Sequence, residues 1–335
     1  MRTSALLVTA SPHVGAGDST PKIMWHVVLS LVPIVGAATW FFGPSAPLMV
    51  ASALVGAVGT EWGFGRRGTL HDGSAVITGI LLGLTLPPGL PLWMACLGGV
   101  FSIAIGKLLF GGLGQNVFNP ALLGRAFLQA SFPVAMTTWS LPAKGDWWLL
   151  RGDLFALPFT SARPLDALTG ATPLGRLKFE QQPTALLDLA LGTTTGSLGE
   201  TSGLLILACG GYLALRNYLN WRIPASIFVT VAALASGLHQ FAPARYPGAL
   251  FMLFSGGLML GAMYMATDLV TSPVTNLGCW IFGAGIGVLV VVIRLWGGLA
   301  EGVMYSILIM NALVPFLNRW TQPGLFGAPR LRAGA

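Results

Sequence analysis

Asp166-Ala-Leu-Thr-Gly-Ala-Thr172-Pro-Leu174 lies in the longest polar interval of a chain that is otherwise almost continuously apolar, so its reading divides the molecule. Gly170 and Ala171 make an uncrowded backbone, and Thr172 offers a hydroxyl with little around it. Pro173 disfavours helical geometry at Thr172, which predicts a side chain standing out on an exposed loop. On its own the run reads either as a small-residue turn or as an acceptor presented to a modifying enzyme.

Outward from that interval the chain is a membrane protein. Of its 335 residues 54% are hydrophobic and 9% charged, where a soluble domain carries about 25% charged residues. Apolar runs long enough, or nearly so, to cross about 30 Å of hydrocarbon fall roughly at 23–43, 46–62, 74–88, 90–110, 117–135, 201–219, 223–241, 248–267, 278–297 and 302–318. Five precede the polar interval and five follow it. The two halves would therefore enter the membrane in opposite senses, as an inverted repeat does. The expected fold is an all-α integral membrane protein of about ten transmembrane helices in two inverted five-helix repeats with broken or half helices. Proline-containing breaks are expected at Thr85–Gly89 and at Asp268–Pro273.

Basic residues orient the chain. Arg2, Lys22, Arg66, Arg67, Lys107, Arg216, Arg222, Arg319, Arg330 and Arg332 fall on one side under this count, and the short loops of the other side hold Arg245 and Arg294. The positive-inside rule then puts both termini in the cytoplasm and the 136–200 interval outside. The expected divisions are a cytoplasmic segment 1–22, a first repeat 23–135, a periplasmic loop 136–200, a second repeat 201–318 and a cytoplasmic tail 319–335. The net charge of +7 is scattered beside apolar runs, a topology signal and not a nucleic-acid groove. Cys96, Cys209 and Cys279 each sit inside an apolar run and read as small buried hydrophobes. His13, His26, His71 and His239 show no ligand spacing, so no metal site is expected.

The run at 166–172 resembles the Asp-x-x-Ser/Thr-Gly-Ala-Thr motif at which a transferase attaches FMN through a phosphoester to the last threonine. Together with Ser11-Pro-His13 and the stretches 72–88, 114–127 and 267–275, it makes the chain similar, over nearly its whole length, to one family. That family comprises the D subunit of the Rnf electron-transport complex and the B subunit of the sodium-pumping NADH:quinone reductase. The short segment before the first span favours the Rnf member.

The resemblance implies FMN bonded to Thr172, with Asp166, Thr169, Gly170 and Ala171 serving recognition by the flavin transferase. It also implies a bacterial inner-membrane location beside the A, B, C, E and G subunits of Rnf. The expected activity is electron transfer between ferredoxin and NAD coupled to ion movement. NADH and ferredoxin would be handled by other chains, because no glycine-rich nucleotide loop follows a strand pattern. The alternatives are the quinone-reductase member and a non-redox channel or transporter with a similar repeat. Asn116, Asn119, Arg125, Asp268 and Asn311 are polar groups in or beside apolar runs, costly there unless partnered. They read either as caps of broken helices or as the lining of an ion site or of a second, non-covalent flavin such as riboflavin, with Asp268, Arg125 and Asn119 the leading candidates.

Overall fold

Pro21, at the start of the first apolar run, has no N–H to leave unsatisfied and a φ already suited to a helix. From there α1 runs over Thr20–Phe42 and stops at Gly43, whose φ is +67°. In this computed structural model, which describes residues 19–65, 69–142, 146–158, 170–180, 182, 184–243, 245–299 and 301–323, helices account for all the longer regular elements. In an apolar surrounding no water meets the backbone, and a helix satisfies its own N–H and C=O groups.

The first half continues with α2 (Ser45–Phe64), α3 (Ser74–Thr85), α4 (Leu92–Ile103, extended by a π-turn over Ala104–Leu108), α5 (Pro120–Ser131) and the short α6 (Pro133–Thr137). The polar interval contributes α7 (Pro173–Gly175), a π-turn at Arg176–Glu180, and α8 (Leu186–Leu191). The second half consists of α9 (Gly203–Leu215), α10 (Arg222–Phe241), α11 (Ala249–Phe254), α12 (Leu258–Leu260) with a π-turn at Gly261–Met265, α13 (Asn276–Trp296) and α14 (Val303–Trp320).

Each apolar run contains helix, but the helices are unequal. Among the described residues four are long and apolar enough to cross a membrane: Thr20–Phe42, Ser45–Phe64, Arg222–Phe241 and Asn276–Trp296. At 12 residues α3 reaches only about 18 Å, short of a full crossing. It ends where Pro87 and Pro88 can supply no N–H. The eighth run departs furthest from expectation. Its break lies inside the run, at Ser255-Gly256-Gly257, in addition to the turn that begins at Asp268. Asn119 and Pro120 likewise open α5, as its cap and its first residue.

The two halves pack in the same order. α2 lies against α3 and α4, and α4 against α5; correspondingly α10 lies against α11 and α13, and α13 against α14. Between halves, α1 meets α9 and α5 meets α14. Close crossings rest on glycine: a Cβ at Gly99 would strike the backbone of Ala53 and Ala57, and one at Gly283 would lie 2.7 Å from the carbonyl of Ile223. One hydrophobic core extends from Leu31 to Leu317 and includes both halves. The outer surface is apolar as well. Trp25, Trp40, Trp62, Trp221, Trp296 and Trp320 are exposed at helix ends, where interfacial aromatic belts form. The chain is a multi-pass membrane protein.

Candidate functional site

Thr172 is extended, with φ −65° and ψ 157°, and its Oγ1 accepts the Gly175 N–H at 3.1 Å. The Arg176 N–H donates to its carbonyl at 2.8 Å. Sequence reasoning expected this side chain to stand out from the loop. Instead Thr172 is 6% exposed. Pro173 pre-sets the first residue of a helical turn, and the threonine before it then becomes the cap.

Long-range contacts hold that turn down. Leu174 packs with Leu189 and Phe251, the Gly170 N–H donates to the Trp139 carbonyl at 3.0 Å, and Lys178 Nζ donates to three carbonyls beyond and within the end of α13. Those are Arg294 at 3.1 Å, Gly297 at 2.5 Å and Leu299 at 3.0 Å. Gly170 and Ala171 adjoin Thr172 as the motif requires, while Asp166 and Thr169 lie outside the described residues.

In front of Thr172 is a pocket lined by Arg125, Gln129, Trp139, Glu301 and Tyr305 among others. Arg125 projects from α5 and pairs through Nη2 with Glu301 Oε2 at 2.7 Å. Its Nε has no hydrogen-bond partner among the described residues, although the residue is 8% exposed. Glu301 Oε1 accepts the Gly257 N–H at 3.3 Å. Thus the pocket wall reaches the break between α11 and α12. Arg294 of α13 caps that break, donating to Met252 O at 2.5 Å and Ser255 O at 2.8 Å. Gly256 has φ +64°, and a Cβ there would lie 2.7 Å from Leu174 Cδ1, 3.1 Å from Glu301 Oε1 and 3.2 Å from Arg294 Nη2. Only glycine permits this meeting of loop, break and charges.

Glu200, in the loop before α9, completes the charged group. Its Oε1 accepts from Ser197 Oγ at 2.8 Å. Burial, then the neighbouring Glu301, pushes the Glu200 carboxyl well above the usual range. Burial alone would raise Glu301 too, but the guanidinium of Arg125 beside it, with that of Arg294, holds its carboxyl below the usual carboxylate range. The same loop caps the other broken helix, where the Leu198 and Gly199 N–H groups donate to the carbonyls of Leu86 and Leu84 at 3.2 and 2.5 Å.

A second cleft contains Lys107, Asn116, Asn119, Tyr264, Thr267 and Asp268 in its lining. Two of the three leading polar candidates meet here, whereas Arg125 faces the Thr172 pocket. Asn119 Oδ1 caps α5 by accepting from the Ala121 and Leu122 N–H groups at 3.0 and 3.3 Å, and its Nδ2 donates to Met265 O at 3.1 Å. Asn311, with its amide turned to satisfy its neighbours, donates to Thr271 O at 3.2 Å and accepts the Asn119 N–H at 3.1 Å. Asn116 Nδ2 donates to Phe118 O at 3.3 Å. Asp268 accepts from the Val270 N–H at 3.3 Å and from Thr271 Oγ1 at 3.0 Å, so it caps the turn it begins while lining the cleft.

Beside the cleft, Lys107 Nζ pairs with Glu61 Oε1 at 2.5 Å, donates to Ser74 Oγ at 2.5 Å and lies 3.8 Å from Asp72 Oδ2. Sequence reasoning used Lys107 and Arg294 only as topology signals, and it passed over Glu61, Lys178, Glu200 and Glu301. An acidic residue inside an apolar run, as Glu61 is, was the available signal for the first pair.

The sequence pattern of the NQR2, RnfD, RnfE family matches residues 7–327. Among curated relatives, the chain is 40% identical to the D subunit of the proton-translocating ferredoxin:NAD(+) oxidoreductase complex of Clostridium ljungdahlii, over 98% of each chain. It is 44% identical to the D subunit of the ion-translocating oxidoreductase complex of Stutzerimonas stutzeri, over 92% of this chain and 93% of that one. Against the D subunit of the Na(+)-translocating ferredoxin:NAD(+) oxidoreductase complex of Acetobacterium woodii the identity is 38%, over 98% of each.

Proposed function

The chain belongs to the NQR2, RnfD, RnfE family, and from that premise we propose that it is the integral-membrane flavoprotein subunit of an Rnf-type ion-translocating ferredoxin:NAD oxidoreductase, with FMN bonded through its phosphate to Thr172. The observation that carries this reading is the pocket in front of Thr172. It combines a hydroxyl at the acceptor position, two aromatic walls in Trp139 and Tyr305, and an arginine whose Nε has no partner among the described residues. An anionic, flat, redox-active group fits that chemistry: aromatic faces stack on its ring, and Arg125 attracts its charge. Bound there, FMN supplies one- and two-electron chemistry, and the chain supplies position, charge and exclusion of water. Glu301 aims the Arg125 guanidinium, and Thr172 tethers the group so that its presence does not depend on affinity.

The matching order of packing in the two halves supports two inverted five-helix repeats. Loop contacts support the orientation. Residues 146–158 touch the C-terminal end of α1 and the N-terminal ends of α2 and α4, through Trp147 Nε1 to Thr39 O at 3.1 Å, Arg151 N–H to Ser45 Oγ at 2.8 Å and Leu92 N–H to Leu154 O at 2.9 Å. Lys178 touches the C-terminal end of α13. Those are the ends that an even number of spans brings to one face. With both termini in the cytoplasm of a bacterial inner membrane, that face and Thr172 are periplasmic.

The cleft of Asn119 and Asp268 then opens toward the cytoplasm. Its mixed lining, with Lys107, Asn119, Tyr264 and Asp268 among apolar side chains, supports a second, non-covalent flavin such as riboflavin there. The partners are the other Rnf subunits and, during maturation, the flavin transferase. Relatives of nearly equal similarity are named for protons and for sodium, so the reading extends to a monovalent cation without choosing between them.

The test is flavin fluorescence of the denatured chain on a gel. Wild type is expected to fluoresce and Thr172→Ala to be dark while still inserted in the membrane; fluorescence retained in the alanine variant refutes the attachment site. A periplasmic reporter fused near Gln182 is expected to be active and one after Arg332 inactive. The opposite pattern refutes the orientation.

A further inference from the structure

A third cleft lies against the Thr172 turn, and Lys178, Arg245 and Arg294 line it together with Tyr246, Trp296 and Leu177. Its walls come from three parts of the chain. Lys178 belongs to the π-turn at Arg176–Glu180, Arg245 and Tyr246 to the loop between α10 and α11, and Arg294 and Trp296 to the last turn of α13. Among the described residues of the lining none is acidic, so three cations stand together.

Neutral partners orient these cations without cancelling their charge. Lys178 Nζ donates to three carbonyls, and Arg294 donates through Nη1 and Nη2 to two more. Arg294 Nε has no hydrogen-bond partner among the described residues, although the residue is 3% exposed. The Arg245 guanidinium lies 5.6 Å from the centre of the Tyr246 ring. The loop that carries it is folded, because the Arg245 and Tyr246 N–H groups donate to Ala242 O at 3.0 and 3.1 Å. The nearest carboxylate on the page is Glu301, which meets Arg294 across Gly256 and does not line the cleft. The surplus of positive charge therefore rests on Lys178 and Arg245.

The rest of the setting is that of a bilayer surface. Tyr246 and Trp296 pair with ring centres 6.2 Å apart, and such rings favour the headgroup level. Trp296 and Phe179 are exposed, while Leu177, Met252 and Leu295 make an apolar wall. A phosphodiester matches the guanidinium and ammonium donors, and hydrocarbon attached to it matches the wall. A zwitterionic lipid would bring an ammonium of its own to the same cations. A free phosphate would leave the apolar wall uncovered.

We propose that this cleft binds the phosphodiester headgroup of an anionic phospholipid, which bridges the Thr172 turn to the end of α13 and the α10–α11 loop. Because Lys178 and Leu177 supply one wall, the site is complete only while the turn is docked, and the lipid stabilises that state. The site stands whether or not flavin is attached.

The test uses the full chain within its complex, stripped of lipid in detergent, with hydrogen exchange followed at the Gly175 and Arg176 amides. Phosphatidylglycerol at ten times its dissociation constant is expected to slow exchange there about tenfold, the factor by which a ligand of the docked state alone shifts the equilibrium. Phosphatidylcholine of the same acyl chains and inorganic phosphate are expected to leave it unchanged. Protection by phosphatidylcholine to the same extent overturns the choice of an anionic headgroup, and equal protection by inorganic phosphate overturns the lipid in favour of a free anion. No protection by any of the three overturns the site.

Arg245→Gln localises the effect, and its exposed position spares the fold. It is expected to raise the phosphatidylglycerol concentration for half-protection about fivefold, the share of one basic residue at an anionic surface. Arg216→Gln is the control, because Arg216 also lies over a tyrosine ring, Tyr212, at 5.8 Å but outside this cleft. Half-protection unchanged in Arg245→Gln, or shifted equally in both variants, overturns the assignment.

Discussion

Replacing Lys178 with methionine tests whether the Thr172 turn is held down by its contact with α13. Methionine keeps most of the apolar stem and loses the ammonium, which donates to the carbonyls of Arg294, Gly297 and Leu299. A hydrogen bond to a charged group contributes about 1.5–3 kcal/mol when buried. Lys178 is half-buried, and solvent screening lowers that to roughly 0.5–1 kcal/mol for each bond. Three bonds then stabilise the docked turn by about 1.5–3 kcal/mol, equivalent to a 10- to 150-fold change in the closed-to-open ratio at ~1.4 kcal/mol per tenfold.

Hydrogen exchange of the full chain in detergent, followed by mass spectrometry, reads that ratio at the Gly175 and Arg176 amides, whose acceptors both belong to Thr172. Exchange there is expected to accelerate within the stated range, with amides of α2 unchanged. Because Thr172 Oγ1 is buried while the turn is docked, flavin attachment is expected to proceed faster in the variant. Exchange at 175–176 changed by less than about twofold refutes the reasoning, since it leaves the turn held by Leu174 and its apolar neighbours alone.

Other perturbations bear on the cleft of Asn119 and Asp268. Lys107→Met leaves Glu61, 1% exposed, without its countercharge; a loss of about 3–5 kcal/mol is expected in thermal or denaturant unfolding, largely recovered in the double variant with Glu61→Gln. A single variant as stable as wild type would mean that the pair is dispensable. Asp268→Asn keeps an oxygen for the Val270 N–H, so the chain is expected to fold and retain flavin at Thr172. Ion-coupled electron transfer is the property expected to fall, and normal coupled turnover would reduce Asp268 to a cap.

The sequence by itself determined the helical class and the helix positions, because an apolar run has one economical way to satisfy its own backbone. The end of α3 was legible for the same kind of reason: Pro87 and Pro88 cannot donate, whatever surrounds them. The likeness of residues 166–172 to an FMN-attachment motif was legible because its residue types are consecutive. Tertiary structure decided what those residues face. The break at Ser255–Gly257 adds little to a hydropathy profile, and it is held by Arg294 and Glu301 from 39 and more positions away.

Asn119 and Arg125 lie on one helix, about 9 Å apart along its axis, yet one lines the cleft with Asp268 and the other the pocket with Thr172. Linear spacing cannot separate those fates, because each depends on which distant segment packs opposite. Thr172 itself shows the division most directly. Its hydroxyl and its proline follow from the order of residues alone. Its burial follows from Leu174 meeting Gly256 and from Lys178 reaching the end of α13, contacts with parts of the second half distant in sequence, which approach only once that half has folded.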